Sequence, residues 1–195
     1  MGLTLANLLT IARMVMIPAF ILAVLSSRHG LALVVFILAG VTDALDGLIA
    51  RRWNQKTAIG AFLDPMADKL LLASAFVILS LPSQPRLFPN LILKNPVPVE
   101  LAVLVISRDV FIVLIALLYH LAVGRRHFPP TTLGKWTTLL QTLTLVVVLL
   151  YNYLDRESIV LIPAFFYLTL AITLASGFHY IYLAAQKSSE PIPPE

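Results

Sequence analysis

Long apolar blocks, several of them roughly 20 residues, follow one another along this chain, each closed by a short polar, glycine-bearing or proline-bearing stretch. A helix of that length crosses a hydrocarbon core of about 30 Å. Backbone groups find no water there, so a spanning segment must satisfy them internally and is helical. The pattern predicts an all-α integral membrane protein with six transmembrane helices, over residues 7–27, 31–51, 58–81, 97–123, 133–154 and 159–184. The breakers between them are 26–30, 82–98, 124–130 and 152–158. Composition agrees: 59% of the 195 residues are hydrophobic, 12% are charged and the mean hydropathy is +0.90. A soluble domain of this length needs far more polar surface. Residues 1–185 read as one membrane domain without internal repeat. The polar stretch 186–195, with three prolines, reads as a disordered tail.

Several function classes drop out early. Cysteine is absent, so no disulfide, thiol nucleophile or Cys-ligated zinc exists. The four histidines show no ligand-like grouping. The net charge of +4 sits mostly in short loops, where it reads as topology and contact with anionic lipid, and no nucleic-acid surface is visible. The first block lacks a basic leader and a small-residue cleavage site, and Arg13 interrupts it, so it is expected to be a retained helix. With the N-terminus inside, Arg51, Arg52, Lys56, Arg125, Arg126, Lys135 and Lys187 face the cytoplasm, against Arg28, Arg86, Lys94 and Arg156 outside. That balance puts both termini in the cytoplasm.

The informative residues are charges where charges are costly. Asp43 and Asp46 lie near the cytoplasmic end of the second segment, Asp64, Asp68 and Lys69 in the first half of the third, and Arg108 and Asp109 midway through the fourth. An ionised group at such depth costs a few kcal/mol or more, so it faces a cavity or a partner. At about 100° per residue, Asp43, Asp46, Gly47 and Ala50 share one narrow stripe, and Asp64 and Asp68 are one helical turn apart. The short link 52–57 makes the two helices antiparallel neighbours, so four carboxylates can converge near the cytoplasmic interface. Protonation or a hard divalent cation would relieve their repulsion. Oxygen-only ligands suit Mg2+, Mn2+ or Ca2+ rather than zinc. Arg51 adds a phosphate donor at the same end, and Gly47, Ala50 and Gly60 leave room for a ligand.

The run Asp43-Ala-Leu-Asp46-Gly47-Leu-Ile-Ala50-Arg51, followed after eight residues by Gly60-Ala-Phe-Leu-Asp64-Pro-Met-Ala-Asp68, resembles the signature D-x-x-D-G-x-x-A-R-x8-G-x3-D-x3-D of CDP-alcohol phosphatidyltransferases. All eight fixed positions are filled over 26 residues. The resemblance implies a six-helix fold, usually homodimeric, with a polar cavity open to the cytoplasmic interface. It implies that Asp43, Asp46, Asp64 and Asp68 hold one or two Mg2+ or Mn2+ ions, that Asp68 is the catalytic base, and that Gly47, Ala50, Arg51 and Gly60 line the CDP site. The implied substrates are CDP-diacylglycerol and an alcohol, with CMP released, in the bacterial inner membrane.

Asn7-Leu-Leu-Thr10-Ile-Ala-Arg13, Ala50-Arg51-Arg52-Trp53-Asn54-Gln55 and Gly134-Lys135-Trp-Thr-Thr138-Leu-Leu-Gln141 resemble elements of phosphatidylglycerophosphate synthases. Glycerol 3-phosphate is therefore the first-ranked acceptor, with Arg108, Arg125, Arg126 and Lys135 as candidates for its phosphate. The Arg108-Asp109 pair departs from the Arg-Glu pair typical of glycerophosphate-using members, and the residues after it, 110–118, are wholly apolar. That departure looks like the eukaryotic-type cardiolipin synthases, which makes phosphatidylglycerol a close second. The rival class is a small cation- or proton-coupled transporter, for which paired inverted repeats would be expected. Beside these readings, Lys69 is expected to be a structural counter-ion to a nearby Asp. Arg125, Arg126 and Lys135 equally suit positive-inside anchors, and Arg108 a bridge to another helix.

Overall fold

The structure, a computed structural model, describes residues 5–52, 58–81, 88–123 and 131–188; within these helices the side chains at 5–9, 44–52, 58–65, 116–123, 184–185 and 187–188 lie outside the description. Among the described residues the chain forms six helices: α1 (Leu5–Leu25), α2 (His29–Arg52), α3 (Ala58–Ser80), α4 (Val99–Val123), α5 (Thr132–Tyr153) and α6 (Leu161–Ser188). Every expected segment has its helix, with ends shifted by four residues or fewer. The largest shift is at the end of α6, which runs through Ser188. Gln186 to Ser188, assigned to the tail from sequence, are thus helical, and 189–195 lie outside the described residues.

Local chemistry sets several ends. Thr131 caps α5: its hydroxyl accepts the Gly134 amide at 3.1 Å from an extended backbone (φ −75°, ψ 150°). The residues after α1 and α5 turn through left-handed Ser27 (φ 52°) and Asp155 (φ 55°). At both places the next amide reaches back five residues, Arg28 N to Ala23 O and Arg156 N to Tyr151 O, which satisfies a carbonyl the helix leaves open.

α1 packs on α2 and α3, α5 on α2 and α6, and α4 on α6 and α3. The apolar core lies toward the end where α1 turns into α2. It contains Phe20 and Val24 of α1, Phe36 of α2, Phe76 and Leu79 of α3, Leu101 and Val105 of α4, and Leu145 and Leu149 of α5. Phe20 and Phe36 stack at 5.6 Å between centroids, tilted by 45°.

The segment 88–98 closes that end. Asn152 of α5 accepts the amides of Lys94 (2.9 Å) and Asn95 (3.1 Å) and donates to Asn95 O (3.2 Å) and Val148 O (2.9 Å). Asn95 in turn donates to Arg156 O and accepts the Ser158 amide. His29 Nε2 meets Ile92 O at 2.8 Å, and the Ile92 amide donates to the Ser27 hydroxyl. The loop is thus tied to both turns, α1–α2 and α5–α6.

Beside this apolar core, a set of polar side chains is buried and many large apolar ones face outward. Thr10, Arg13, Thr137, Gln141, Thr144, Thr169, Thr173 and Ser176 are buried, whereas Val15, Leu22, Val103, Val110, Tyr167 and Phe178 are each more than half exposed. A polar seam joins α5 and α6: the hydroxyls of Thr144 and Thr169 share a hydrogen bond of 2.7 Å, and Gln141 Nε2 donates to Thr173 Oγ1 at 3.4 Å. Among the described residues two stretches, Thr132–Tyr153 and Leu161–Leu183, are long and apolar enough to cross a membrane by length and composition alone.

Candidate active site

At the end opposite the 88–98 segment, the helices leave a cavity of about 550 Å³. Its polar lining comes from five helices: Asp43 of α2, Asp68 and Lys69 of α3, Arg108 and Asp109 of α4, Lys135 of α5 and Tyr180 of α6. Leu71, Leu72, Ile112, Val113 and Leu139 supply apolar wall. Of the residues singled out in the sequence, Asp43, Asp68, Arg108 and Lys135 thus share one space. For Asp46, Gly47, Ala50, Arg51, Gly60 and Asp64 the description covers helical backbone only, on α2 and α3. Arg125 and Arg126 lie outside the described residues.

The charges are organised in pairs. Arg13 of α1, fully buried, reaches Asp43 with Nη1 2.7 Å from Oδ1. The structure thus ties Arg13 to the first Asp of the signature. Asp109 is shared by two cations, Lys69 Nζ at 2.7 Å from Oδ2 and Arg108 Nη1 at 2.8 Å from Oδ1. Lys69 is therefore the counter-ion expected, with Asp109 as its partner. Arg108 and Asp109 pair although neighbours on a helix diverge, because the arginine side chain is long enough to fold back. Asp68 lines the cavity and makes no ion pair with any described residue.

Arg108 is 8% exposed and reaches α6, where Nη2 donates to the Ser176 hydroxyl. Its Cζ stands 5.6 Å from the centroid of the Tyr180 ring, within cation–π range. The bridge to another helix and the place on the cavity wall therefore hold together. Ser176 and Tyr180 were not among the residues singled out in the sequence. Their signal was spacing: Thr169, Thr173, Ser176 and Tyr180 repeat at intervals of four, three and four, one polar face on an apolar helix.

The donor set suits a hard divalent cation. Asp43 and Asp68 bring carboxylate oxygens to one cavity from two helices, and the chain holds no cysteine to favour a softer metal. Among the described residues no group of three acidic or histidine side chains forms a cation site. Asp46 and Asp64 lie one helical turn from Asp43 and Asp68 in sequence, with their side chains outside the description.

The family model described as CDP-alcohol phosphatidyltransferase matches residues 3–178. The chain is similar to the human protein named cardiolipin synthase (CMP-forming), with 31% identity over 196 residues covering 91% of this chain and 61% of that one. Its likeness to the protein of that name from Rattus norvegicus is 40% over 135 residues, covering 68% of this chain and 39% of the other. The chain thus spans less than two thirds of the length of these two relatives. Against the CDP-diacylglycerol--glycerol-3-phosphate 3-phosphatidyltransferase of Sodalis glossinidius the identity is 37% over 189 residues, covering 94% of this chain and 96% of that protein. A family match over nearly the whole chain and an intact eight-residue signature, two of whose acids meet in one cavity, lead to one assignment: the chain belongs to the CDP-alcohol phosphatidyltransferase family.

Proposed function

We propose that this protein is an integral membrane enzyme of phospholipid synthesis that transfers the phosphatidyl group of CDP-diacylglycerol to glycerol 3-phosphate and releases CMP. The observation that carries the reading is that acids of the signature and cations of α4 and α5 share one cavity: Asp43 and Asp68 with Arg108 and Lys135. The near full-length likeness to a bacterial relative whose name states this reaction supports it, as does the apolar outer surface of the bundle. In this reading all six helices span the bacterial inner membrane, both termini are cytoplasmic and the enzyme is a homodimer. The membrane domain then runs through the end of α6 at Ser188, three residues past the boundary expected from sequence, and a polar tail follows it.

Asp68 takes the proton of the acceptor hydroxyl as that oxygen closes on the phosphorus carrying diacylglycerol. The new P–O bond forms as the bond to the bridging oxygen of the diphosphate breaks, and CMP departs with that oxygen. One or two Mg2+ or Mn2+ ions bound by Asp43, Asp46, Asp64 and Asp68 would supply neutralisation of the charge developing on the diphosphate. Gly47, Ala50, Arg51 and Gly60 line the CDP end. Arg108 and Lys135, with Arg125 and Arg126, hold the acceptor phosphate. A second reading, phosphatidylglycerol as acceptor and cardiolipin as product, is favoured by the apolar wall of Ile112, Val113 and Leu139, which suits a second lipid.

The test is CMP release by purified protein from CDP-diacylglycerol and Mg2+ or Mn2+, with glycerol 3-phosphate or phosphatidylglycerol in parallel. The expected result is metal-dependent release with glycerol 3-phosphate, lowered at least about 10²-fold in Asp68→Asn. Release with phosphatidylglycerol alone replaces the first acceptor by the second. No release with either overturns the transferase reading.

A further inference from the structure

A guanidinium that is to grip a phosphate must hold its plane, and in this protein α6 does the holding. Arginine carries five N–H donors in a rigid fork. In Arg108, Nη1 donates to Asp109 and Nη2 to Ser176, while the Tyr180 ring lies 5.6 Å from Cζ. Ser176 is fully buried and Tyr180 is 6% exposed. Each terminal nitrogen keeps one further N–H, and Arg108 lines the cavity that holds Asp43 and Asp68.

Charge balance alone does not require this arrangement. Arg108 already has an ion-pair partner in Asp109, which it shares with Lys69. The Ser176 hydroxyl and the aromatic face add no charge; they restrict rotation, the hydroxyl from one edge and the ring from its face. The start of α5 closes the frame. A Cβ on Gly134 would stand 3.1 Å from the Tyr180 hydroxyl and 3.4 Å from Arg108 Nη2, so glycine permits the close approach of all three helices. The Thr131 amide donates to the Tyr180 hydroxyl at 3.4 Å, and the Thr144–Thr169 and Gln141–Thr173 contacts fix α6 against α5 below it.

We propose that Ser176 and Tyr180 are positioning residues that set the plane of the Arg108 guanidinium for the phosphate of the acceptor. Helix α6, which carries none of the signature, then governs acceptor affinity. The inference rests on the assignment of Arg108 to the acceptor. A phosphate group is common to glycerol 3-phosphate and phosphatidylglycerol, and running both acceptors tells which one Arg108 serves.

The experiment is the acceptor and donor dependence of CMP release for wild type, Ser176→Ala, Ser176→Thr, Tyr180→Leu, Tyr180→Phe and Arg108→Ala, each checked for folding by thermal unfolding. Loss of a contact that orients a charged group is expected to raise the acceptor KM roughly tenfold in Ser176→Ala and Tyr180→Leu. The KM for CDP-diacylglycerol should stay within about twofold, and Ser176→Thr and Tyr180→Phe should keep most of the wild-type value because they retain the hydroxyl and the ring face. In the Arg108→Ala background, Ser176→Ala should add little, since it acts through Arg108. Equal rises in both KM values, no rescue by Ser176→Thr, or additive losses in the double variant overturn the proposal. If wild type releases no CMP with either acceptor, the transferase reading falls separately, and equilibrium binding of radiolabelled glycerol 3-phosphate decides. Weaker binding in Ser176→Ala that Ser176→Thr restores supports the positioning role; equal binding in all variants, or none in wild type, overturns it.

Discussion

Arg13 shows how a single buried charge can be tied to chemistry without touching the reacting atoms. It is fully buried, while the Asp43 side chain it meets is 44% exposed. Replacing Arg13 by methionine removes the buried charge, fills a similar volume and leaves behind a carboxylate that water still reaches. In the proposed mechanism Asp43 is a metal ligand, and a partner that orients a ligating carboxylate is typically worth roughly 10–100-fold in metal affinity or activity. Arg13→Met is expected to raise the Mg2+ concentration for half-maximal CMP release about tenfold; a metal titration of activity checks it. Gly134 makes a graded companion. Alanine there must displace the Tyr180 and Thr131 hydroxyls by a few tenths of an ångström while reaching ordinary contact with Arg108 Nη2, and valine must displace more. The acceptor KM should rise a few-fold in Gly134→Ala and further in Gly134→Val, with the CDP-diacylglycerol KM steady. The acids at this site were legible in sequence because charge in an apolar run is costly enough to need a reason. Ser176 and Tyr180 were harder to see, since neither residue is out of place in an apolar helix until its neighbours at helical spacing are read with it.

The helices themselves were visible from apolar length alone, and the breakers located their ends closely. The 88–98 segment was not predictable beyond its being a break. Its partners lie 57 to 65 residues away in sequence, and no local pattern announces them. Within it, magnitudes separate the contacts that matter. The Lys94–Asp155 ion pair is solvent-exposed on both sides, 38% and 78%, and such pairs contribute about 0–1 kcal/mol. Asn152 is 4% exposed and satisfies backbone groups of Lys94, Asn95 and Val148. Each buried group it abandons costs about 1–3 kcal/mol. Asn152→Ala is therefore expected to lower the unfolding temperature in detergent clearly, and Lys94→Ala by much less. Because the network lies at the end of the bundle away from the cavity, the acceptor KM of the Asn152→Ala protein at a permissive temperature should match wild type.

At the scale of the molecule, the distribution of polarity bears on its solvent. Threonine, glutamine, serine and arginine are buried beside the apolar core, and many large apolar side chains, valine, leucine and aromatics among them, lie exposed on the outside. In water that arrangement would leave a large apolar surface exposed. In lipid it is favourable, since polar side chains gain by bonding across helices. The two ends also differ: the network around Asn152 closes one, and the charged cavity opens toward the other. The proposed reaction uses a cytidine nucleotide donor and releases CMP, which belong to the cytoplasm, so the cavity end is expected to face that side, as the balance of Lys and Arg in the loops also predicts. The absence of native cysteine makes this directly measurable. Glu157, exposed in the α5–α6 turn, and Gln186, exposed near the end of α6, mark the two ends of one helix. In intact spheroplasts of a bacterium expressing single-cysteine variants, a membrane-impermeant maleimide should label Glu157→Cys at once and Gln186→Cys only after lysis. Labelling of both before lysis would remove α6 as a spanning helix, and the reverse order would put the cavity, and with it the proposed chemistry, on the wrong side of the membrane.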